Sequence, residues 1–544
     1  MQPLPASTAP VPGSPRFAYK WVVTLVVIFG AFMSILDQTI VNIAIPRLQT
    51  AFNANLNGVQ WVLTAYVLTQ GVVTPTTAYF ADRFGTKRFY IIALSIFTAG
   101  SVLCGLAWSL PALIFFRVVQ GVGGACLFPL AITMLYREFP PQQRGLAGGL
   151  FAIAALLAPA VGPTLGGYFV SYVDWRLIFF VNVPIGILGV ILAILLLREV
   201  RGETRTRFDV PGFMLAAVGL ASVLYGLSDA SSDGWGSVKV LGSLLGGAVA
   251  LGCFVIVELN LARRGKQPLL DLRIFGNGPF LSSNVTNALI TFAFFGGIFL
   301  FPVYLQNLRG LDAFHAGLLL LPQAFASLVT ALIGGRIVDR FGARVVVIPG
   351  LALMAFASWQ LSYLTLSTPY SWLQALFVIR GLALGLIIQP LNVSALSDIA
   401  PRKFAQASSL YTVIRFVSTS LGIAVLATLV QSQAKVHATQ LAAQITPASP
   451  LAQLAARLQA QLVLHGASAS AARAAALKQV ARLVQQQGYL MAIQDAFWCV
   501  MFVLIASVIA AFFIRMRRQP SITRQEESEK AEGESDMQGA AASG

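Results

Sequence analysis

Asp37 is the one acid far inside an apolar run of this chain, and Arg117 is one of three arginines placed the same way, with Arg380 and Arg415. Ionisable groups in hydrocarbon are costly, and where they occur they mark ion pathways and proton relays. Counted from Trp21, Asp37 lies 16 residues along its run, about 24 Å into a core roughly 30 Å thick. The run holding Arg117 enters from the opposite face at Pro111, so six residues bring the arginine about 9 Å in. The two opposite charges therefore reach a similar depth in the outer half of the core. Burial disfavours a carboxylate anion, and a nearby guanidinium favours it. If that contact changed during a working cycle, Asp37 would load and unload a proton. A permanent ion pair, or an Asp37 that satisfies a local backbone group, is the other reading.

The elements that hold these charges are membrane spans. Residues 57% hydrophobic and only 11% charged, over 544 positions, exclude an ordinary soluble domain, in which about a quarter of residues are charged. A window of about 20 residues gives fourteen expected spans, near 21–45, 58–80, 89–108, 111–136, 145–171, 176–197, 210–228, 239–258, 279–304, 315–335, 344–365, 371–395, 405–430 and 490–514. Tyr79-Phe-Ala-Asp-Arg-Phe-Gly-Thr-Lys-Arg88 returns as Arg336-Ile-Val-Asp-Arg-Phe-Gly-Ala-Arg344, an offset of 257 residues from Asp82 to Asp339. Each copy lies between two apolar runs. A duplicated charged loop in a greasy chain points to a transporter built from two related halves. Gly85 and Gly342 supply a turn; Asp82, Arg83, Lys87, Arg88, Asp339, Arg340 and Arg344 supply fixed charge. Setting topology alone is the plainer reading of those charges.

Eight expected spans separate the two copies where a simple repeat of six has room for six. The chain thus reads as an N-terminal tail 1–20, a six-helix half 21–197, two inserted helices within 198–277, a second six-helix half 278–515 and a disordered tail 516–544. The first run lacks a cleavage signature and is read as a retained span. With the N-terminus in the cytoplasm, 25 of the 37 Lys and Arg fall on inner segments, and the short outer loops keep only Arg47, Arg176, Lys239 and Arg309. That bias is positive-inside. The net charge of +16 then faces anionic lipid and needs no nucleic acid. Both termini are expected in the cytoplasm. Cys104, Cys126, Cys253 and Cys499 have no CxxC spacing, so neither a disulfide framework nor a metal site is expected.

Several other residues are candidates. Gly162, Gly166 and Gly167 form a small-residue face that lets helices approach, and Pro159 and Pro163 bend the same helix; a kinked seam between halves is the functional reading, and ordinary packing the other. Gln38, Asn42, Gln70, Gln120, Asn182, Gln306, Gln323 and Gln389 supply neutral hydrogen-bonding groups in or near spans. Arg380 and Arg415 either line a cavity or hold a helix. Glu258 and Asp495, near span ends, read as anchors. The outer segment 431–489 carries Leu451, Leu454, Leu458 and Leu462 at helical spacing, then His465-Gly-Ala-Ser, then Leu477, Val480 and Val484. It reads as a helical hairpin capping the outer mouth or as a docking surface for an adaptor protein.

These motifs resemble the major facilitator superfamily, and within it the fourteen-span drug:proton antiporters, over nearly all of 20–515. Leu36-Asp-Gln-Thr-Ile-Val-Asn-Ile-Ala-Ile-Pro46 looks like that group's first-helix signature. The loop copies resemble Gly-x-x-x-Asp-Arg-x-Gly-Arg-Lys, with Ala78 in place of the first Gly and Thr86 in place of Arg. Arg117-Val-Val-Gln-Gly121 resembles Arg-x-x-Gln-Gly, and Ala158-Pro-Ala-Val-Gly-Pro-Thr-Leu-Gly-Gly167 resembles the antiporter motif. The resemblance implies an all-α major facilitator fold, with two six-helix halves and two inserted helices. It implies a proton-driven inner-membrane exporter of amphipathic compounds, with Asp37 and Arg117 in coupling and the Asp82 loop as a latch. No cofactor is implied. No Gly-x-x-x-x-Gly-Lys-Ser/Thr loop is present, which argues against ATP hydrolysis. A proton-coupled carrier of a specific metabolite and a non-transporting sensor are the alternatives.

Overall fold

The structure is a computed structural model that describes residues 19–54, 56–140, 143–200, 208–264, 268–396, 399–400, 403–446, 449–465 and 467–514. The two expected tails lie almost wholly outside the described residues. Helix follows helix throughout. The first group is α1 (Tyr19–Ile40), α2 (Ile45–Phe52), α3 (Leu56–Val73), α4 (Thr77–Phe84), α5 (Thr86–Gly105), α6 (Leu110–Glu138), α7 (Arg144–Tyr172), α8 (Leu177–Phe180) and α9 (Asn182–Leu196). Then come α10 (Val210–Asp233) and α11 (Val238–Arg263). The last group is α12 (Gly278–Pro302), α13 (Ala313–Phe341), α14 (Ala343–Leu361), α15 (Tyr370–Leu396), α16 (Phe404–Ala443), α17 (Pro450–Leu464) and α18 (Ala469–Ala511).

In lipid the backbone must satisfy itself, which is why the spans are helices. Side chains finish several ends: Ser109 accepts from the Ala112 N–H, Asp209 from Gly212, Asn277 from Phe280 and Asp312 from His315. Among the described residues twelve helices are long and apolar enough to cross a membrane. The expected spans 58–80 and 145–171 fall on α3–α4, broken by a 3₁₀ turn at Thr74–Thr76, and on α7; neither is among those twelve.

The two charged loops share one geometry. Gly85 joins α4 to α5 with φ +88°, and Gly342 joins α13 to α14 with φ +89°. Side chains rarely adopt that backbone, so both turns require glycine. At this end of the bundle the halves share one buried cluster: Phe139 and Phe151 from the first lie with Val338, Leu396, Phe404 and Leu410 from the second. Ser408 donates a buried hydrogen bond to the Pro129 carbonyl across that seam, at 3.2 Å. Toward the other end the cores are separate, one around Leu48, Val59 and Trp175 and one around Tyr304, Phe377 and Leu490. The bundle is closed at its charged-loop end.

The inserted α10 and α11 pack on each other, and α10 also leans on α3 and α16. Thr64 of α3 hydrogen-bonds Ser228 at 3.1 Å, and Trp235 just beyond α10 donates to Thr428 of α16 at 2.9 Å. The pair therefore bridges the halves away from the charged loops.

The segment 431–489, expected on the outer side, is more continuous than a hairpin. α16 runs 40 residues and α18 runs 43, each about twice what a bilayer core needs. Both project past it, with α17 laid along α18. Leu451, Leu454, Leu458 and Leu462 are half-buried, Val480 and Val484 are buried, and Leu477 is exposed. The expected turn after His465 is present, with Ser468 capping α18.

Candidate functional site

α1 and α6 cross so that Asp37 and Arg117 meet, each with no exposed side-chain surface. The Arg117 Nη1 donates to Asp37 Oδ2. The other carboxylate oxygen, Oδ1, accepts from Gln120 Nε2 at 2.9 Å and from Asn182 Nδ2 at 3.1 Å. Arg117 also donates through Nε to the Val62 carbonyl at 3.0 Å and through Nη1 to Gln120 Oε1 at 2.8 Å. Its guanidinium lies over the Tyr66 ring, 4.0 Å from the centroid. Ser101 accepts from both Gln120 and Asn182 at 3.1 Å and donates to the Phe179 carbonyl at 2.9 Å.

α1, α3, α5, α6 and α9 each supply a member. Gln120 stands one helical turn beyond Arg117 on the same face, which is why one residue bonds both partners of the pair. The arrangement is an ion pair whose carboxylate has three donors, in a fully buried pocket where charge interactions are strong. Tyr66 and Ser101 could not be found from the sequence, because a tyrosine or serine in an apolar run is commonplace. Asn182 carried only the weak signal of a polar residue near a span end.

Beside the pair lies the glycine face of α7. A Cβ on Gly162 would meet Thr39 Oγ1 at 2.2 Å, and one on Gly166 would meet the Ile40 carbonyl oxygen at 2.9 Å. Both glycines thus press on α1, two and three residues past Asp37. Gly167 is buried, and Pro159 and Pro163 are half-buried. The seam between halves is made elsewhere on α7: Gly317 of α13 faces Pro163 and Thr164, and Gly149 faces the Ala331 carbonyl. The expected small-residue face and the expected seam are two sides of one helix.

The first charged loop is tied down within its own half. Glu199 accepts from the backbone N–H groups of Lys87 at 3.1 Å and Arg88 at 3.2 Å. Its carboxylate caps the start of α5, where a helix favours negative charge. The Arg88 Nε lies 3.7 Å from Glu199, Lys87 Nζ donates to the Ile194 carbonyl at 2.7 Å, and Arg83 donates to Tyr79 at 3.0 Å. Asp82 is half-buried on α4, which also touches α16. Partial burial raises its carboxyl above the usual range, against the pull of Arg137. In the second copy Arg340 and Arg344 are exposed, and the Asp339 side chain lies outside the described residues.

The other candidates scatter. Gln38 donates to Gln70 at 2.6 Å, Gln70 donates to Ser34 at 3.3 Å, and Asn42 is exposed and bonds the Gln38 carbonyl. Gln306 is half-buried in a π-helical turn, Val303–Leu308. Gln389 is buried, with neither amide atom hydrogen-bonded among the described residues. Arg415 of α16 lies 3.8 Å above the Phe128 ring of α6, a contact across the halves. Asp495 pairs with His437 at 2.7 Å between α18 and α16. Glu258 is buried and accepts from the Leu270 N–H at 3.3 Å.

Two repeat-related helical halves, helices long and apolar enough to cross a membrane and a buried charge pair inside one half define a polytopic membrane transporter. A sequence model of the Major Facilitator Superfamily matches residues 27–423, and the chain belongs to that superfamily. It is 34% identical over 508 residues to an uncharacterized MFS-type transporter of Bacillus subtilis, YhcA, covering 93% of this chain and 94% of that one. It is 32% identical to the tetracenomycin C resistance and export protein of Streptomyces glaucescens, over 79% of each chain. It is 31% identical to a multidrug resistance protein B homolog of Mycobacterium tuberculosis, over 78% of this chain and 79% of that one. The crystal structure of the human organic anion transporter MFSD10 (TETRAN) superposes with a TM-score of 0.57 at 12% identity, over 90% of this chain and 100% of that one, a likeness of fold.

Proposed function

We propose that this chain is a fourteen-span secondary exporter of the inner membrane that exchanges external protons for amphipathic drugs or toxic compounds, with both termini in the cytoplasm. The observation that carries the reading is the buried Asp37–Arg117 pair, a titratable group whose charged partner sits on a different helix. A proton arriving on Asp37 cancels the ion pair and loosens α1 from α6. α1 bears on α7 through Thr39 and Ile40, and α7 bears on α13 of the other half. A change at the pair thus reaches the seam through packed backbones, and the halves rock about a central cavity. The names of the Streptomyces and Mycobacterium relatives, which refer to export and multidrug resistance, support the substrate class. The exposed Val463 and Leu464 at the end of α17 suit the reading of 431–489 as an adaptor-docking surface.

The test is whole-cell accumulation of a panel of dyes and antibiotics, with and without a proton gradient. Lower accumulation in cells making the protein, abolished by collapsing the gradient, is expected. Gradient-independent accumulation of every compound would overturn the proposal.

A further inference from the structure

The second half holds an arginine that lacks what the first half gives Arg117. Arg380 of α15 is fully buried, like Arg117. Its Nη1 reaches the Ser358 hydroxyl at 3.4 Å, and the Phe301 ring lies 4.9 Å from the guanidinium. Among the described residues Nε and Nη2 have no hydrogen-bond partner and no carboxylate pairs with the guanidinium. An arginine keeps its charge in a protein, and a buried charge without a partner costs several kcal/mol.

The internal repeat shows where the partner is missing. α1 carries Asp37 to Arg117; α12 takes the corresponding place against α15. Besides Phe301, α12 brings Gly297 beside Arg380, and among the described residues a Cβ built there meets within 4 Å only the Arg380 Nη2, at 3.6 Å. The helix that supplies an acid in one half thus supplies only the Phe301 ring and a bare glycine to Arg380 in the other, among the described residues. The position of that Cβ lies beside the unused donor Nη2; Nε is likewise without a partner among the described residues, and the buried Ser358 hydroxyl stands at Nη1. Guanidinium donors in a fork with a hydroxyl suit a small anion.

We propose that Arg380 and Ser358, with the space at Gly297, bind a monovalent anionic group: an inorganic halide, or the carboxylate of a bound organic acid. The site does not depend on the drug-export reading. It places a counter-charge in the second half that comes from solution, where the first half uses its own Asp37.

The test is thermal unfolding of the purified full-length protein in detergent at constant ionic strength, with sulfate, a divalent anion outside the proposed class, replaced by chloride or by benzoate. If an inorganic anion occupies the site, chloride raises the midpoint by roughly 2–5 °C at saturating concentration. If an organic carboxylate is the ligand, benzoate does so and chloride does not. Gly297→Asp places a carboxylate within reach of Nη2, so its midpoint in sulfate should match the anion-bound wild type and respond to neither salt. Arg380→Met should also lose the response. A wild type indifferent to both anions, or a Gly297→Asp or Arg380→Met protein that keeps the full response, would overturn the proposal.

Discussion

Asp37→Asn and Arg117→Gln together should destabilise the protein by clearly less than the sum of their separate effects. Asp37 receives Arg117, Gln120 and Asn182, all of them donors. Asparagine keeps one acceptor oxygen and turns an NH₂ group toward donors already in place, while Arg117 stays charged with no acid. Removing one partner of a buried pair costs about 3–5 kcal/mol, because the other is left uncompensated. At about 2 °C per kcal/mol for a large chain, the melting midpoint should fall by roughly 6–10 °C. Arg117→Gln strands the carboxylate and should cost a similar amount. The double variant buries no charge, and its Asn and Gln can bond each other, so a coupling of about 2–3 kcal/mol is expected. The assay is thermal unfolding of all four proteins in one detergent. Single effects that simply add would refute the reasoning, since two residues that are merely neighbours show no coupling.

Gly85→Ala should be severe, because the residue needs φ +88° and its Cβ would stand 2.1 Å from Glu199 Oε1; a loss of about 3 kcal/mol follows from backbone strain and a broken α5 cap. Gly236→Ala, with nothing within 4 Å of its Cβ, should stay within about 0.5 kcal/mol of wild type in the same unfolding assay, and equal effects at the two sites would contradict the account. In alkaline buffer, with both carboxyls ionised, Glu258→Gln should stabilise: Glu258 Oε1 and Asp209 Oδ2 have no donor among the described residues and both lie within 2.6 Å of one point beside Gly212, so an amide there gains a hydrogen bond of about 1 kcal/mol. A lower midpoint for Glu258→Gln would mean that the two oxygens do not face each other.

The depth of Asp37 and Arg117 was legible because a helix converts residue count into distance at a fixed rise, and a bilayer supplies the ruler. Fold class was legible for the same reason, helped by a loop that occurs twice. Which helix a glycine faces was not: Gly162 and Gly166 could meet any neighbour, and only packing assigns them to α1. Glu199 stayed hidden because it caps α5 from more than a hundred residues away. The outer segment looked like a separate hairpin because its Ala- and Gln-rich stretches break the apolar run, yet helix propensity carries α16 and α18 straight through that break.

Proton coupling through Asp37 is the central claim. Its most direct measurement is export of a fluorescent substrate from proteoliposomes under an imposed pH gradient, recorded together with proton flux, for wild type and Asp37→Asn. The account predicts gradient-driven export with proton counterflow in the wild type, and loss of both in Asp37→Asn protein that still reconstitutes and still binds substrate. Full gradient-dependent export by Asp37→Asn would contradict it.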